Sequence, residues 1–130
     1  MFVDTSGLLC YFDRSSLSHA DAATFLRAAP TRLTHWDVLA EFIPLCQSRR
    51  MDRGRALLFV ADLLRSPYVE VVSIDALLHR AAVAFLQARL DKTYSICDAV
   101  SFLLMRQRGI MEALTTDRHF EQEGFVRLLK

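Results

Sequence analysis

The chain has 130 residues, 52% hydrophobic and 24% charged, with only 4 Gly and 3 Pro. That is the length of one ordinary domain with a radius of gyration of roughly 14 Å. Its composition excludes a disordered, fibrous or low-complexity protein. Sixteen basic against fifteen acidic residues leave a formal net charge of +1, so no global field draws the chain onto polyanions or membranes, and any nucleic-acid contact must be a local patch.

The three cysteines, Cys10, Cys46 and Cys97, are odd in number and set among apolar neighbours, unlike a disulfide framework or a zinc site. No apolar run approaches the roughly 20 residues that span a bilayer, and Asp4 interrupts any signal-like start. The expectation is a cytoplasmic protein with no membrane partner.

In chain order, Phe2-Val3 reads as a short buried strand ending at Asp4, and Arg32-Leu33-Thr34 as a second after Pro30. Val69 to Val72 is a third strand, rich in β-branched residues, and Ala113 to Thr116 and Phe125 to Leu129 complete the set. Between them lie helix-start signals in which a Ser or Thr precedes an acid by three residues: Ser18/Asp21, Thr34/Asp37 and Ser95/Asp98. Trp36 to Cys46 carries an apolar arc of Trp36, Leu39, Phe42, Ile43 and Cys46. A stripe of Leu57, Val60, Ala61 and Leu64 marks another helix, Leu77 to Leu90 a further one, and Ile96 to Met105 is apolar almost all round, which predicts a buried helix. Alternating strands and helices give an α/β class: a single domain, residues 1–130, with a central, mainly parallel five-stranded sheet flanked by helices.

In such sheets chemistry sits beyond the carboxyl ends of the strands. Asp4 and Asp117 fall there, each directly after a strand, although either residue type also serves as a turn former. Asp98 lies in the first turn of the most apolar helix. Pairing with Ser95 in a capping box accounts for it; without such a partner a buried ionised acid costs several kcal/mol, which a raised pKa or a bound cation avoids. Glu41 falls just outside the apolar arc of its helix and near the same edge as Asp4. Converging carboxylates repel unless a divalent ion neutralises them, and Mg²⁺ and Mn²⁺ prefer oxygen ligands of this kind. Such clusters serve phosphodiester hydrolysis by metal-activated water.

Four segments carry a family resemblance: Asp4-Thr5-Ser6, the helix bearing Glu41, the run Asp91 to Phe102, and Thr115-Thr116-Asp117-Arg118-His119-Phe120. Together they resemble PIN-domain ribonucleases, with the nearest look to VapC-type toxins of bacterial toxin–antitoxin pairs. The resemblance implies a parallel sheet flanked by helices, a Mg²⁺- or Mn²⁺-dependent endoribonuclease activity, and a catalytic metal site of Asp4, Glu41, Asp98 and Asp117. It also implies supporting roles for Ser6, Thr115 and Ser95, an RNA substrate, a cognate antitoxin partner and a homodimer. Asp91 matches a commonly acidic position and reads as peripheral. Cys97 stands where the family often has a small polar residue.

Arg118, beside Asp117, is the candidate for touching substrate. Fourteen of the sixteen basic residues are Arg, which suits phosphate binding, and Arg49, Arg50, Arg53 and Arg55 either rim an RNA groove or form a solvated corner between helices. The four histidines share no helical spacing, which argues against zinc, and His119 reads as a local cap or a phosphate contact. An aspartyl-phosphate mechanism is disfavoured, because no second acid lies two residues after Asp4 and no Lys follows the last strands except terminal Lys130. The alternative to the nuclease is a non-catalytic PIN-like module that binds RNA or protein.

Overall fold

The computed structural model describes residues 1–130. The first half runs β1 (Phe2–Val3), α1 (Thr5–Phe12), α2 (His19–Ala28), β2 (Arg32–His35), α3 (Trp36–Ser48) and α4 (Arg53–Arg65). The second half runs β3 (Val69–Val72), α5 (Ala76–Gln87), α6 (Ile96–Arg108), β4 (Glu112–Leu114), α7 (His119–Gln122) and β5 (Val126–Arg127). All five strands form one sheet in the order β3-β2-β1-β4-β5, and every pairing is parallel. The sheet is thus fully rather than mainly parallel, because every connection between consecutive strands contains at least one helix and none is a hairpin.

The strand order reverses at β1. The first two crossovers carry the chain from β1 out to β3, and the third returns across the sheet to β4 on the other side of β1. With right-handed connections α1 to α4 cover one face and α5 and α6 the other; α1 packs on α2 and α3, α3 on α4, and α5 on α6. The core is built from both sides of the sheet, with Phe2, Phe42, Phe102, Phe120, Met105 and Leu114 fully enclosed.

Several elements differ from the sequence reading. The Thr34/Asp37 capping box does not form: β2 continues through His35, the Thr34 hydroxyl donates to the Val3 carbonyl, and His35 caps α3 by accepting from the Val38 amide. The Ser18 side chain makes no cap bond to α2. On α4 the inward residues are Ala56, Phe59, Val60 and Leu63, whereas Leu57 and Leu64 of the expected stripe are exposed. The rotation follows from an aromatic cluster: Phe59 meets Phe12 at 5.1 Å and Phe42 at 5.5 Å between ring centroids, contacts that only the tertiary arrangement offers. Trp36 and Ile96, expected in apolar arcs, lie at the exposed first turns of α3 and α6. The last strand is only Val126–Arg127, β4 stops at Leu114, and α5 stops at Gln87 rather than Leu90.

Two local features hold the site end of the sheet. Gly7 in α1 lies against β4 so closely that a Cβ there would stand 2.1 Å from the Leu114 carbonyl oxygen. Only glycine allows that approach. His35, fully buried at the end of β2, accepts from Val38 through Nδ1, so Nε2 carries the hydrogen and donates to Ser101 Oγ at 2.8 Å; Ser101 in turn donates to the Cys97 carbonyl. This chain ties the start of α3 to the first turns of α6.

Gly7→Ala is expected to destabilise the fold by about 3 kcal/mol or more, since a backbone atom and not a mobile side chain blocks the methyl group; urea unfolding measures it. Burial lowers the His35 pKa from 6.5 to about 4. As pH falls from 6.5 to about 4 the unfolded chain gains a proton that the folded chain refuses, so stability drops with acid, by roughly 3 kcal/mol over the window. Urea titrations at pH 7 and pH 4.5 should show that His35→Gln removes this part of the acid slope.

Candidate active site

The topology decides where the carboxylates go. In a sheet whose strand order reverses at β1, the crevice beyond the carboxyl ends of β1 and β4 is the switch point. Asp4 follows β1 directly, and Thr115 to Asp117 follow β4 directly. The two ends are joined by hydroxyls: Thr115 Oγ1 donates to Asp4 Oδ2 at 2.9 Å and accepts from the Asp117 amide at 3.0 Å. Its single hydrogen being used on Asp4, Thr115 accepts from Ser6 Oγ at 3.0 Å, and Ser6 accepts from the Thr116 amide.

Glu41 reaches the same place from α3. Its Oε2 accepts from Thr5 Oγ1 at 3.2 Å. Burial raises the pKa of the Cys97 thiol well above its usual value, and the nearby charges of Glu41, Asp4 and Asp98 raise it further, so the thiol stays protonated among the acids. Thr5 was not singled out by the sequence reading, and its position between Asp4 and Ser6 was the only signal available.

Asp98 enters from α6. The Ser95/Asp98 capping box is formed: Ser95 Oγ accepts from the Asp98 amide and Asp98 Oδ2 accepts from the Ser95 amide, both at 3.0 Å. The cap does not exhaust the carboxylate, because Asp98 Oδ2 also meets His119 Nδ1 at 3.1 Å, and that nitrogen lies 3.3 Å from Asp117 Oδ2. One oxygen each from Asp98 and Asp117 and a ring nitrogen of His119 all fall within 4.8 Å of one another. His119 is therefore more than a local cap, a fact hidden from sequence because Asp98 lies 21 positions away.

Asp4 feels the charges of Asp98 and Asp117, Glu41 is held by the neighbouring Thr5, and none of the four pairs with an Arg or Lys. Every ion pair to Arg or Lys involves Asp62, Glu70, Asp91, Glu121 or Glu123 instead. The consequence appears at Asp4, whose pKa is raised to about 7, first by burial and then by the charges of Asp98 and Asp117, against the lowering effect of the Thr115 bond. A divalent cation is one means of balancing such a set, which offers carboxylate oxygens with the His119 ring nitrogen beside them. Arg118 is exposed beside Asp117, and Asp91 is exposed and paired with Lys92. Arg49, Arg50, Arg53 and Arg55 lie at an exposed corner between α3 and α4.

The fold around this crevice is one that the comparisons with known proteins also find. The family model of the PIN domain matches residues 1–125, and the chain belongs to the PIN-domain family. Among its relatives is the 23S rRNA-specific endonuclease VapC20 of Mycobacterium tuberculosis, found in strains CDC 1551 / Oshkosh and ATCC 25618 / H37Rv. It is 32% identical over 129 residues, covering 98% of this chain and 97% of the relative. The crystal structure of VapC20, described as a Sarcin-Ricin loop cleaving toxin, superposes with a TM-score of 0.89 over 99% of this chain and 98% of the other.

The Asp4 pKa gives a stability test. A carboxyl raised to about 7 holds a proton in the folded state that the unfolded chain releases near 3.8, so metal-free stability is lost as pH climbs from about 4 to 7. In EDTA at pH 8, Asp4→Asn should raise the melting temperature by several degrees, with little difference at pH 4; scanning calorimetry at the two pH values measures it.

Proposed function

We propose that this protein is a metal-dependent endoribonuclease and the toxin of a toxin–antitoxin pair, with Asp4, Glu41, Asp98 and Asp117 holding one or more Mg²⁺ or Mn²⁺ ions. What carries the reading is the nearness of Asp4, Asp98 and Asp117, with Glu41 bonded to Thr5 beside Asp4, and no Arg or Lys paired with any of them. Membership of the PIN-domain family and the nuclease relative support it. When bound, the ion supplies a water of lowered pKa and offsets charge on the phosphate.

The chain's own residues define the rest. Thr115 and Ser6 orient Asp4, Thr5 orients Glu41, and the capping box orients Asp98. An acidic crevice repels an RNA backbone, so the substrate needs a cationic contact nearby, and we assign Arg118 to the phosphate next to the one cleaved. No side chain is placed as a covalent nucleophile: Cys97 is buried and held protonated among carboxylates, the opposite of an activated thiol.

The relative's description makes a sarcin–ricin loop hairpin of 23S rRNA the first substrate to try. A cognate antitoxin and a homodimeric assembly in the cytoplasm complete the proposal. No helix is long and apolar enough to cross a membrane.

Cleavage of that hairpin is expected with Mn²⁺ or Mg²⁺, to vanish with EDTA, and to fall by at least about a hundredfold in Asp98→Asn. Full cleavage under chelation or in the variant overturns the reading. Intact RNA with unimpaired binding at every metal concentration points to the non-catalytic binding module instead.

A further inference from the structure

Four carboxylates account for the charge of the crevice, but they leave one inward side chain without a stated purpose. His119 is the first residue of α7, and its backbone amide is fixed by Asp117 Oδ1 at 2.9 Å. Its ring is aimed at the acids, with Nδ1 3.1 Å from Asp98 Oδ2 and 3.3 Å from Asp117 Oδ2. Resting on the metal-dependent reading above, we propose that His119 is a direct nitrogen ligand, through Nδ1, to a divalent cation shared with Asp98 and Asp117.

The spacing suits this role. An octahedral ion with ligands at about 2.1 Å sets neighbouring ligand atoms about 3.0 Å apart, close to both observed separations. A ligating imidazole also needs its other nitrogen engaged, because that bond fixes the tautomer and the ring plane. Here Nε2 lies 3.1 Å from Thr93 Oγ1. Without an ion Nδ1–H donates to Asp98 Oδ2 and Nε2 accepts from Thr93; with Nε2–H donating to Thr93 instead, the Nδ1 lone pair is freed for a cation between the two carboxylates.

The ring is held from a third side. Tyr94 meets it edge-on, with centroids 5.1 Å apart and planes at 67°. Tyr94 is itself anchored through its hydroxyl to Glu123, which Arg89 and Arg106 clamp. A ring serving only as a helix cap would not need anchoring at Nε2, along its edge and at its backbone together. The chemical consequence is a mixed oxygen and nitrogen donor set, which shifts preference from Mg²⁺, an oxygen-seeking ion, toward Mn²⁺.

Pulsed electron paramagnetic resonance of the full chain loaded with Mn²⁺ alone decides the matter. The wild type should show modulation from a directly bound imidazole nitrogen that changes when histidine is labelled with ¹⁵N and disappears in His119→Gln. Thr93→Val should keep the modulation while weakening Mn²⁺ about tenfold, as loss of an outer partner does. Mn²⁺ bound with no nitrogen coupling, or with unchanged affinity in His119→Gln, overturns the assignment and leaves the nuclease reading standing. Failure of the wild type to bind Mn²⁺ removes both. Should His119→Gln not fold, the isotope shift in the wild type gives the answer by itself.

Discussion

Like charges forced together at the carboxyl ends of β1 and β4 are the constraint around which the rest of the molecule is arranged. Left in water, four carboxylates would separate, since each prefers hydration to the company of the others. The fold prevents this by giving each acid its own covalent anchor on a different element and a neutral donor that does not cancel its charge. Asp4 has the Thr115 hydroxyl, Glu41 has Thr5, Asp98 has the backbone amide of Ser95 and Asp117 has that of His119. Hydroxyls and amides orient the oxygens while leaving the negative potential in place. An arginine in any of these positions would have satisfied the acid and removed its use.

The scaffold behind the crevice follows from the same requirement. The end of β4 must lie close enough to α1 for Ser6 to bridge to Thr115, and Gly7 permits it by presenting no side chain to the Leu114 carbonyl. The start of α3 must be fixed relative to α6 for Glu41 and Asp98 to share a pocket, and neutral His35 does that through Ser101. A neutral imidazole is suited to the task because it offers one donor and one acceptor in a fully buried place where a charge would be expelled. Stability and chemistry pull in opposite directions here. The raised pKa of Asp4 shows the folded state holding a group where it would rather be protonated, a cost that the proposed ion would offset.

The relation to VapC20 fits this division of labour. At 32% identity the superposition still covers nearly the whole chain, as expected when topology, and the few residues that link strand ends, carry the constraint. The exposed α3–α4 corner, with its arginines, has no such tie.

Much of this was readable along the chain. Short β-branched or apolar runs ended by Asp marked β1 and the end of β4, and a Ser followed three residues later by Asp announced the start of α6, because these signals depend only on neighbours in sequence. The acids themselves were named for the same reason. What the order of residues could not disclose was set by contacts between distant segments. The inward face of α4 was chosen by Phe12 and Phe42, the cap of α3 by β2 running one residue further to His35, and the place of His119 by Asp98 on another helix. A helix with apolar residues on more than one side has no preferred rotation until a partner surface selects one, and an imidazole has no role until packing decides which groups its two nitrogens meet. The sequence by itself determined the five strands, the longer helices α2 to α6 and the acids that end the strands, but announced neither α1 nor α7. The tertiary structure alone decided which faces are buried and which side chains share the crevice.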